Sequence, residues 1–242
     1  EIPLCPYDSC RLLALNLLSY VEAPFTKEAK FNFDLFKKHV AMAMRLMDDI
    51  IDLELEKVEL IINKIASDPE DDDVRRVELE LWKKIKDMAL KGRRTGLGIT
   101  AEGDMLAALG LRYGSNKALD FATKVHQTLA VEAYRESVNM ARVRGAFTVF
   151  NAEKEKNNPM INRLKDADAS LYEEMVKYGR RNIAMLTIAP TGTTSLMSQT
   201  TSGIEPVFRP VYKRRRKINP SDHDNKVLST FTDEQGQVFE EY

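Results

Sequence analysis

Cysteine and histidine are scarce in this sequence. The 242 residues include two cysteines, Cys5 and Cys10, and three histidines, His39, His126 and His223. Two cysteines do not form a disulfide-stapled secreted scaffold, and a reducing cytoplasm fits them best. No pair of histidines has the spacing of metal ligands. The sequence therefore predicts a cytoplasmic protein without a metal site.

The sequence also lacks a strong net charge and long apolar runs. Its 36 Lys and Arg residues nearly balance its 37 Asp and Glu residues, so no global field favours nucleic acid or an anionic membrane. No uninterrupted apolar run approaches the roughly 18 residues of a membrane span, and no signal peptide is visible. The 43% hydrophobic content suits a globular protein with a sizeable core. We expect neither nucleic acid nor a membrane as a partner.

The most informative stretch runs from Asn182 to Ser195. Residues 183–189 form a short, almost wholly apolar run that ends at Pro190. This pattern is typical of a strand buried on both faces, although periodicity alone does not exclude a buried helix. Pro190 cannot donate to a β-ladder, so we expect the strand to end there.

A turn rich in hydroxyl groups follows that run. Residues 190–195, the hydroxyl loop, read Pro190, Thr191, Gly192, Thr193, Thr194 and Ser195. Glycine permits positive φ and close approach of a ligand, and Thr and Ser are good helix N-caps. A strand, a small turn and a helix start together form an anion cradle. On chemistry alone, both a phosphate site and a plain helix cap remain open.

Apolar spacing predicts the other elements of the chain. The spacing over residues 33–66 is helical, and that range is too long for one average helix. Alternation of helices with short apolar strands indicates an α/β fold with largely parallel strands. We predict further helices over 74–90, 115–142 and 169–178, a buried helix in the Leu-rich residues 11–20, and strands over 95–100, 145–150 and 203–208.

Two chemical candidates remain ambiguous from the residues alone. The cationic run Tyr212–Lys217 could contact a nucleotide phosphate or nucleic acid, but one short run is more often a solvated face. Cys10 is either a core thiol or one half of a catalytic dithiol.

The chain begins at Glu1 without an initiator Met and stops at Tyr242 without a polar tail. We expect a fragment of a longer protein, truncated at both ends.

Motifs at both ends resemble the large chains of ribonucleotide reductases. Residues 1–12 (Glu-Ile-Pro-Leu-Cys-Pro-Tyr-Asp-Ser-Cys-Arg-Leu) resemble the region that follows the active-site finger loop, whose motif reads Asn-x-Cys-x-Glu. Residues 189–195 and 201–206 resemble the family's substrate-phosphate loop and the strand after it. Thr-Gly-Leu-Gly at 95–98 and Tyr-Gly-Ser at 113–115 also fit. The resemblance covers nearly all of the chain, in the same order.

The resemblance implies a fold and a class. The fold would be a helix-rich α/β barrel of ten strands, of which residues 1–242 form roughly the second half, the C-terminal portion of the catalytic barrel domain. Three stretches have sequences most similar to those of the class II branch: residues 6–12, the hydroxyl loop and the basic run at 212–216. That branch uses adenosylcobalamin, whereas class I takes its radical from a separate subunit.

The resemblance also implies roles for individual residues. Glu1 would be the last residue of the finger-loop motif and the general base on the ribose 3′-hydroxyl. The thiyl-radical cysteine would lie two residues upstream of it, outside this chain. Cys10 matches one of the two thiols that reduce the 2′ position, and its partner would lie far upstream. Residues 190–195 would hold the substrate phosphates. Cys5 matches no required position and is interpreted as structural.

The implied partners follow from this chemistry. They are a ribonucleotide substrate, an external dithiol reductant such as thioredoxin and the remainder of the same reductase chain, with a homodimer as one form of assembly. Two other hypotheses stay open. The chain could be a class I large chain, or a non-catalytic α/β domain that binds a nucleotide or phosphate.

Overall fold

A computed structural model describes residues 4–218 and 230–241, which form two compact units that divide between Pro206 and Val207. The strands are β1 (Arg11–Asn16), β2 (Val21–Glu22), β3 (Lys30–Phe31), β4 (Thr95–Thr100), β5 (Arg215–Lys217), β6 (Thr230–Thr232) and β7 (Val238–Glu241). The helices are α1 (Phe33–Ala66), α2 (Asp72–Gly92), α3 (Glu102–Ala108), α4 (Asn116–Arg144), α5 (Ala152–Glu155), α6 (Pro159–Ala167), α7 (Ala169–Tyr178) and α8 (Gly192–Ser198).

A small parallel layer lies at the centre of the first unit. β1 pairs with β4 in parallel, with Arg11 opposite Thr95. Residues 184–187 run along the other edge of β4, where the Leu97 N–H donates to the Met185 carbonyl at 2.7 Å. The Thr187 N–H donates back to the Leu97 carbonyl at 3.0 Å. The order is therefore β1, β4 and the 184–187 segment, which is shorter than the strand predicted over 183–189.

Helix α1 confirms the helical range predicted over 33–66, as one continuous helix of 34 residues. Its N-terminus is capped by Asn32, whose side-chain oxygen accepts from the Leu35 N–H at 2.9 Å. One face is fully buried because apolar residues recur every three or four positions along it. The side chains without solvent exposure on this face include Phe36, Val40, Met44, Met47 and Ile51. Burial of this stripe fixes α1 on the core.

The helix predicted over residues 11–20 is wrong. This stretch forms β1 and then a short 3₁₀ turn over Leu17–Tyr20. A short Leu-rich run fits a buried strand as well as a buried helix, and here pairing with β4 decides between them. The Asn16 side chain accepts from the Leu18 N–H at 3.1 Å, which stabilises the change from strand to turn.

The strand predicted over 145–150 is also wrong. Gly145 takes a φ of +84° at the end of α4, and the chain then turns. Phe147 and Phe150 meet edge to face at 5.5 Å and both lie over the Arg180 guanidinium. Both rings therefore pack against one cation and do not lie on opposite faces of a sheet. The alternating apolar pattern of residues 145–150 reflects this packing and not a strand.

The third wrong prediction is the strand over 203–208. Gly203 has a φ of +51°, a left-handed conformation that interrupts an extended chain. The Glu205 N–H donates to the Ser202 carbonyl at 3.1 Å and closes a turn. A Cβ on Gly103 would meet the Glu205 carbonyl oxygen at 2.5 Å, so this turn is seated closely against α3.

The second unit holds an antiparallel sheet in the order β5, β7, β6. The cationic run predicted to be a solvated face or a phosphate contact includes β5. Arg215 pairs with Glu241 at 2.8 Å and Arg216 with Glu240 at 2.7 Å. Arg215 and Arg216 thus form ion pairs within the sheet itself. This favours the prediction of a solvated face over that of a phosphate contact.

The described residues form a helix-rich α/β structure, and their strands do not close into a barrel. The central layer holds two paired strands and the 184–187 segment, so a ten-stranded barrel is not seen within residues 4–218 and 230–241. None of the helices described is both long enough and apolar enough to cross a membrane.

Candidate functional site

Two glycines on β4 allow close contacts across the parallel layer. A Cβ on Gly96 would lie 2.7 Å from Cys10 Sγ and 2.8 Å from Thr187 Cγ2. A Cβ on Gly98 would lie 2.0 Å from the Thr187 carbonyl oxygen. At Gly98 the clash would be with backbone, so only glycine fits there without a backbone shift, whereas at Gly96 the neighbouring side chains would have to move to admit a Cβ. The glycines therefore bring the Cys10 thiol and Thr187 together across β4.

A cavity of about 340 Å³, the thiol-side cavity, opens beside these glycines. It joins three parts of the chain: β1, β4 and the run from Thr187 into the hydroxyl loop. Its polar side chains are all threonines. The lining residues are Leu12, Leu13, Ala14, Gly96, Gly98, Thr187, Ala189, Pro190, Thr191 and Thr194. This volume is within the range of small-ligand sites.

The segment that carries Cys10 is held by two ion pairs. Asp8 accepts from Arg94 Nε at 2.5 Å, and both side chains are largely buried. Arg11 pairs with Glu54, and its guanidinium also donates to the Arg94 carbonyl at 3.0 Å. Charged hydrogen bonds of this kind fix geometry more reliably than they add stability. The half-buried thiol therefore has a well-defined position next to Gly96.

The hydroxyl loop adopts an unusual backbone at Thr191. This residue, and not Gly192, takes the left-handed conformation, with a φ of +47°. Its hydroxyl contacts the Thr100 hydroxyl at 3.0 Å and accepts from the Gly203 N–H at 2.9 Å. These contacts hold a strained residue in place at the edge of the cavity. Glycine would permit this conformation at position 192, but Gly192 does not adopt it.

The remaining hydroxyls divide into two kinds. Ser195 is buried and donates to the Gly192 carbonyl at 2.8 Å, so its side chain supports the loop itself. Thr193 and Thr194 are exposed. The side chain of Thr191, the N-cap residue of α8, does not form a capping hydrogen bond. Within the described residues, the first-turn N–H groups and two hydroxyls are thus placed to meet an anion.

Glu1 and His223 lie outside the described residues, so the general base predicted for Glu1 remains a prediction. Of the other predicted site residues, Pro190, Thr191 and Thr194 line the thiol-side cavity. Cys10 itself does not line the cavity, but a Cβ on Gly96, which does, would lie 2.7 Å from Cys10 Sγ. The structure thus places the thiol predicted to be reducing near the cavity that the predicted phosphate loop lines.

Sequence reasoning missed a buried charge cluster, the Asp48 brace. Asp48 has no solvent exposure, and its carboxylate accepts from Arg93 at 2.8 Å, Asn182 at 3.1 Å, Arg181 at 3.2 Å and Arg144 at 3.3 Å. Burial alone would raise the pKa of Asp48, but the hydrogen bonds and charges of Arg93 and Arg181 lower it below its ordinary value. The residues before β4 and before the 184–187 segment are thereby tied to α1.

A second cavity, of about 730 Å³, lies among α4, α6 and residues 186–188. Its lining is mainly apolar, and it shares only Thr187 with the thiol-side cavity. Neither Cys10 nor the hydroxyl loop borders it. His126, on its wall, contacts the nearly buried Glu102 at 2.7 Å. We take the smaller cavity as the candidate site because the hydroxyl loop lines it and the Cys10 thiol lies next to Gly96 in its wall.

The sequence matches the family model "Ribonucleotide reductase, barrel domain" over residues 1–236. The chain belongs to this family. The match includes every predicted site residue, from Glu1 and Cys10 to the hydroxyl loop.

Similar curated proteins are reductases of this family. Two are named vitamin B12-dependent ribonucleoside-diphosphate reductase: one from Mycobacterium tuberculosis (H37Rv), 28% identical, and one from Thermoplasma acidophilum, 32% identical. Each alignment covers 88% of this chain, and 24% and 22% of the relative. The ribonucleoside-diphosphate reductase subunit alpha of Chlamydia pneumoniae is 23% identical over 84% of this chain and 18% of its own length. The chain therefore spans less than a quarter of these relatives.

Proposed function

We propose that this chain is the part of a ribonucleotide reductase that supplies one reducing thiol and the substrate-phosphate loop. One arrangement carries the proposal: the hydroxyl loop and Gly96 line one cavity of about 340 Å³, and a Cβ on Gly96 would lie 2.7 Å from the Cys10 thiol. Family membership supports the reaction class, and the names of the relatives support ribonucleoside diphosphates as substrates.

The chemistry assigned to this chain is the reduction at C2′. Two thiols, Cys10 and a partner outside this chain, each lose one electron and one proton. The substrate loses its 2′-hydroxyl as water, and the thiols join as a disulfide. Glu1 is proposed as the base that holds the 3′-hydroxyl proton during the radical step. The hydroxyl loop keeps the phosphates fixed, which orients the ribose towards Cys10.

Adenosylcobalamin is the proposed source of the radical, because two of the relatives are named B12-dependent. When bound, the cofactor would generate the radical that reaches the thiyl cysteine. The described residues do not fit a whole corrinoid at the candidate site, since the thiol-side cavity has the size of a small-ligand pocket. We therefore assign no residue of this chain to the cofactor.

The proposal extends to the partners and the setting. An external dithiol such as thioredoxin would reduce the Cys10 disulfide after each turnover, in the cytoplasm, and the remainder of the catalytic chain would complete the barrel. A homodimer is one assembly compatible with it. Dependence of turnover on a separate radical-generating subunit, instead of on cobalamin, would assign the chain to class I.

The test uses the complete reductase chain that contains this segment. Cys10→Ser should abolish turnover with thioredoxin and leave binding of cytidine diphosphate (CDP) nearly unchanged, because a hydroxyl cannot form the disulfide. Cys5→Ser is the matched control and should keep most of the activity, since Cys5 is exposed and matches no required position. The two readouts are the rate of formation of deoxycytidine diphosphate from CDP and the dissociation constant for CDP.

Two results would contradict the proposal. Equal activity of the Cys10→Ser and Cys5→Ser variants would mean that the wrong thiol, or the wrong chemistry, has been assigned. Binding of CDP without any reduction in the wild-type holoenzyme would support the non-catalytic nucleotide-binding domain instead.

A further inference from the structure

Thr187 carries an unsatisfied polar atom in the interior. The residue is 6% exposed, and its hydroxyl oxygen is buried. It is the one buried side-chain nitrogen or oxygen without a hydrogen-bond partner among residues 4–218 and 230–241. A buried hydroxyl without a partner is costly compared with a methyl group of the same shape. Such a group in a well-packed layer therefore requires an explanation.

The position of Thr187 suggests one. Thr187 is one of the residues that line the thiol-side cavity, together with Thr191 and Thr194 of the hydroxyl loop. Its methyl group and the Cys10 thiol both approach the same point at Gly96, at 2.8 and 2.7 Å from a Cβ built there. Thr187 thus lies between the proposed reducing thiol and the proposed phosphate loop. A nucleotide held by both would have its sugar at this place.

A neighbouring threonine shows the contrast. Thr95 on β4 has no solvent exposure, and its hydroxyl oxygen lies 3.3 Å from the Met185 carbonyl oxygen and 3.4 Å from that of Ala184. Successive strand residues face opposite sides of a sheet, so Thr95 points away from the side of Gly96. A buried threonine in this layer can therefore find a backbone acceptor, and Thr187 does not.

We infer that the Thr187 hydroxyl binds the ribose 2′-hydroxyl of the nucleotide substrate. The 2′ position is the one that Cys10 reduces in the proposed function, on which this inference rests. A threonine hydroxyl can both donate and accept, as pairing with another hydroxyl requires. Rotation about χ1 by one staggered step would put the hydroxyl where the methyl group now lies, next to Gly96, which lines the cavity.

The test compares three variants of the complete reductase, Thr187→Val, Thr187→Ser and the control Thr95→Val. CDP and its 2′-deoxy counterpart dCDP are the probes. Thr187→Val should bind CDP between about threefold and tenfold more weakly, the effect of one hydrogen bond. Its affinity for dCDP should not change. Thr187→Ser keeps the hydroxyl and should restore CDP binding.

Stability gives a second readout of opposite sign. Thr187→Val removes an unsatisfied hydroxyl, so its thermal midpoint should equal or exceed that of the wild type. Thr95→Val removes a bonded hydroxyl and should lower the midpoint without changing the preference for CDP over dCDP. A residue with a purely structural role would not weaken nucleotide binding while stabilising the fold.

Each other outcome overturns the inference. Wild-type CDP affinity in Thr187→Val, an equal loss for CDP and dCDP, or a lowered midpoint in Thr187→Val would each show that the hydroxyl does not meet the 2′ position. Any of these would leave the proposed function intact if Cys10→Ser remains inactive. A wild-type enzyme that binds neither nucleotide would overturn the proposed function as well.

Discussion

The Asp48 brace and the thiol-side cavity lie beside the same parallel layer. They differ in the hydrogen bonds that their buried polar groups form. In the brace, both carboxylate oxygens of Asp48 accept hydrogen bonds, from three arginines and from Asn182. Beside the cavity, the buried Thr187 hydroxyl has no partner among the described residues, and Gly96 and Gly98 let Thr187 pack closely against β4.

This difference separates a structural region from a binding region. A fully bonded charge cluster is complete without a ligand, and any change in it is felt by the fold. An open volume with an unbonded hydroxyl and an uncapped helix start is incomplete, and a ligand can complete it. The brace fixes where β4 and the 184–187 segment begin, and the cavity uses the geometry that results.

The largest expected effect comes from the brace. Asp48→Ala leaves three arginines without their shared carboxylate, which should destabilise the fold by about 3–5 kcal/mol. Asp73→Ala is the matched control, because Asp73 forms an exposed pair with Arg76, and such pairs contribute less than about 1 kcal/mol. Hydrogen exchange in the segments around Arg93 and Arg181 measures the effect. Equal protection in both variants would mean that the brace is not structural.

The brace also predicts a dependence on pH. The pKa of Asp48 is lowered in the folded protein, so the folded state favours its charged form. This contribution is complete above the ordinary pKa of 3.8 and is lost as the pH falls towards the lowered folded value. The acid limb of a stability–pH profile should therefore become shallower in Asp48→Asn. An unchanged acid limb would contradict the assignment.

A smaller effect is expected from the glycines. Gly98→Ala would place a Cβ 2.0 Å from the Thr187 carbonyl oxygen, so the backbone must shift, and we expect a loss of about 1–3 kcal/mol. Gly192→Ala is the control for stability, because a Cβ there meets nothing within 4 Å and its φ is not positive. Thermal unfolding compares the two variants. If Gly98→Ala unfolds at the wild-type temperature, the close approach of the 184–187 segment to β4 is wrong.

The sequence was sufficient for some elements. The 34-residue helix α1 has enough turns for its apolar stripe to be unambiguous, and the strand predicted over 95–100 is observed as β4. Other short runs failed. Residues 11–16 form a strand because β4 is their neighbour, and Phe147 and Phe150 are drawn to the distant Arg180. These long-range partners cannot be derived from local pattern.

The same limit applies to the site. The residue types of the hydroxyl loop left a phosphate site and a plain helix cap open, and the resemblance selected the phosphate role and Cys10. The position of Cys10 next to Gly96, in the wall of the cavity that the loop lines, depends on the register of β1 against β4 and on the 184–187 segment, which only the fold provides. No local motif marks the particular roles of Asp48 and Thr187. Their burial and hydrogen bonding single them out.

If the hydroxyl loop holds the substrate beside Cys10, a bound nucleotide should shield the Cys10 thiol. This shielding is the most direct test of the proposed site. Alkylation of Cys10 in the complete reductase, followed by peptide mass spectrometry with and without CDP, measures this shielding. CDP should slow alkylation in the wild type. A valine at Gly192 has room in the fold but stands where the phosphate would bind, so Gly192→Val should remove most of the protection.

Thr193→Ala removes one exposed hydroxyl and should only raise the CDP concentration for half-protection, by between about twofold and tenfold. Protection of Cys10 by CDP should therefore be strongest in the wild type, weaker in Thr193→Ala and weakest in Gly192→Val. Equal protection in all three proteins would mean that the hydroxyl loop is a plain helix cap. An absence of protection in the wild type would contradict the placing of the substrate beside Cys10.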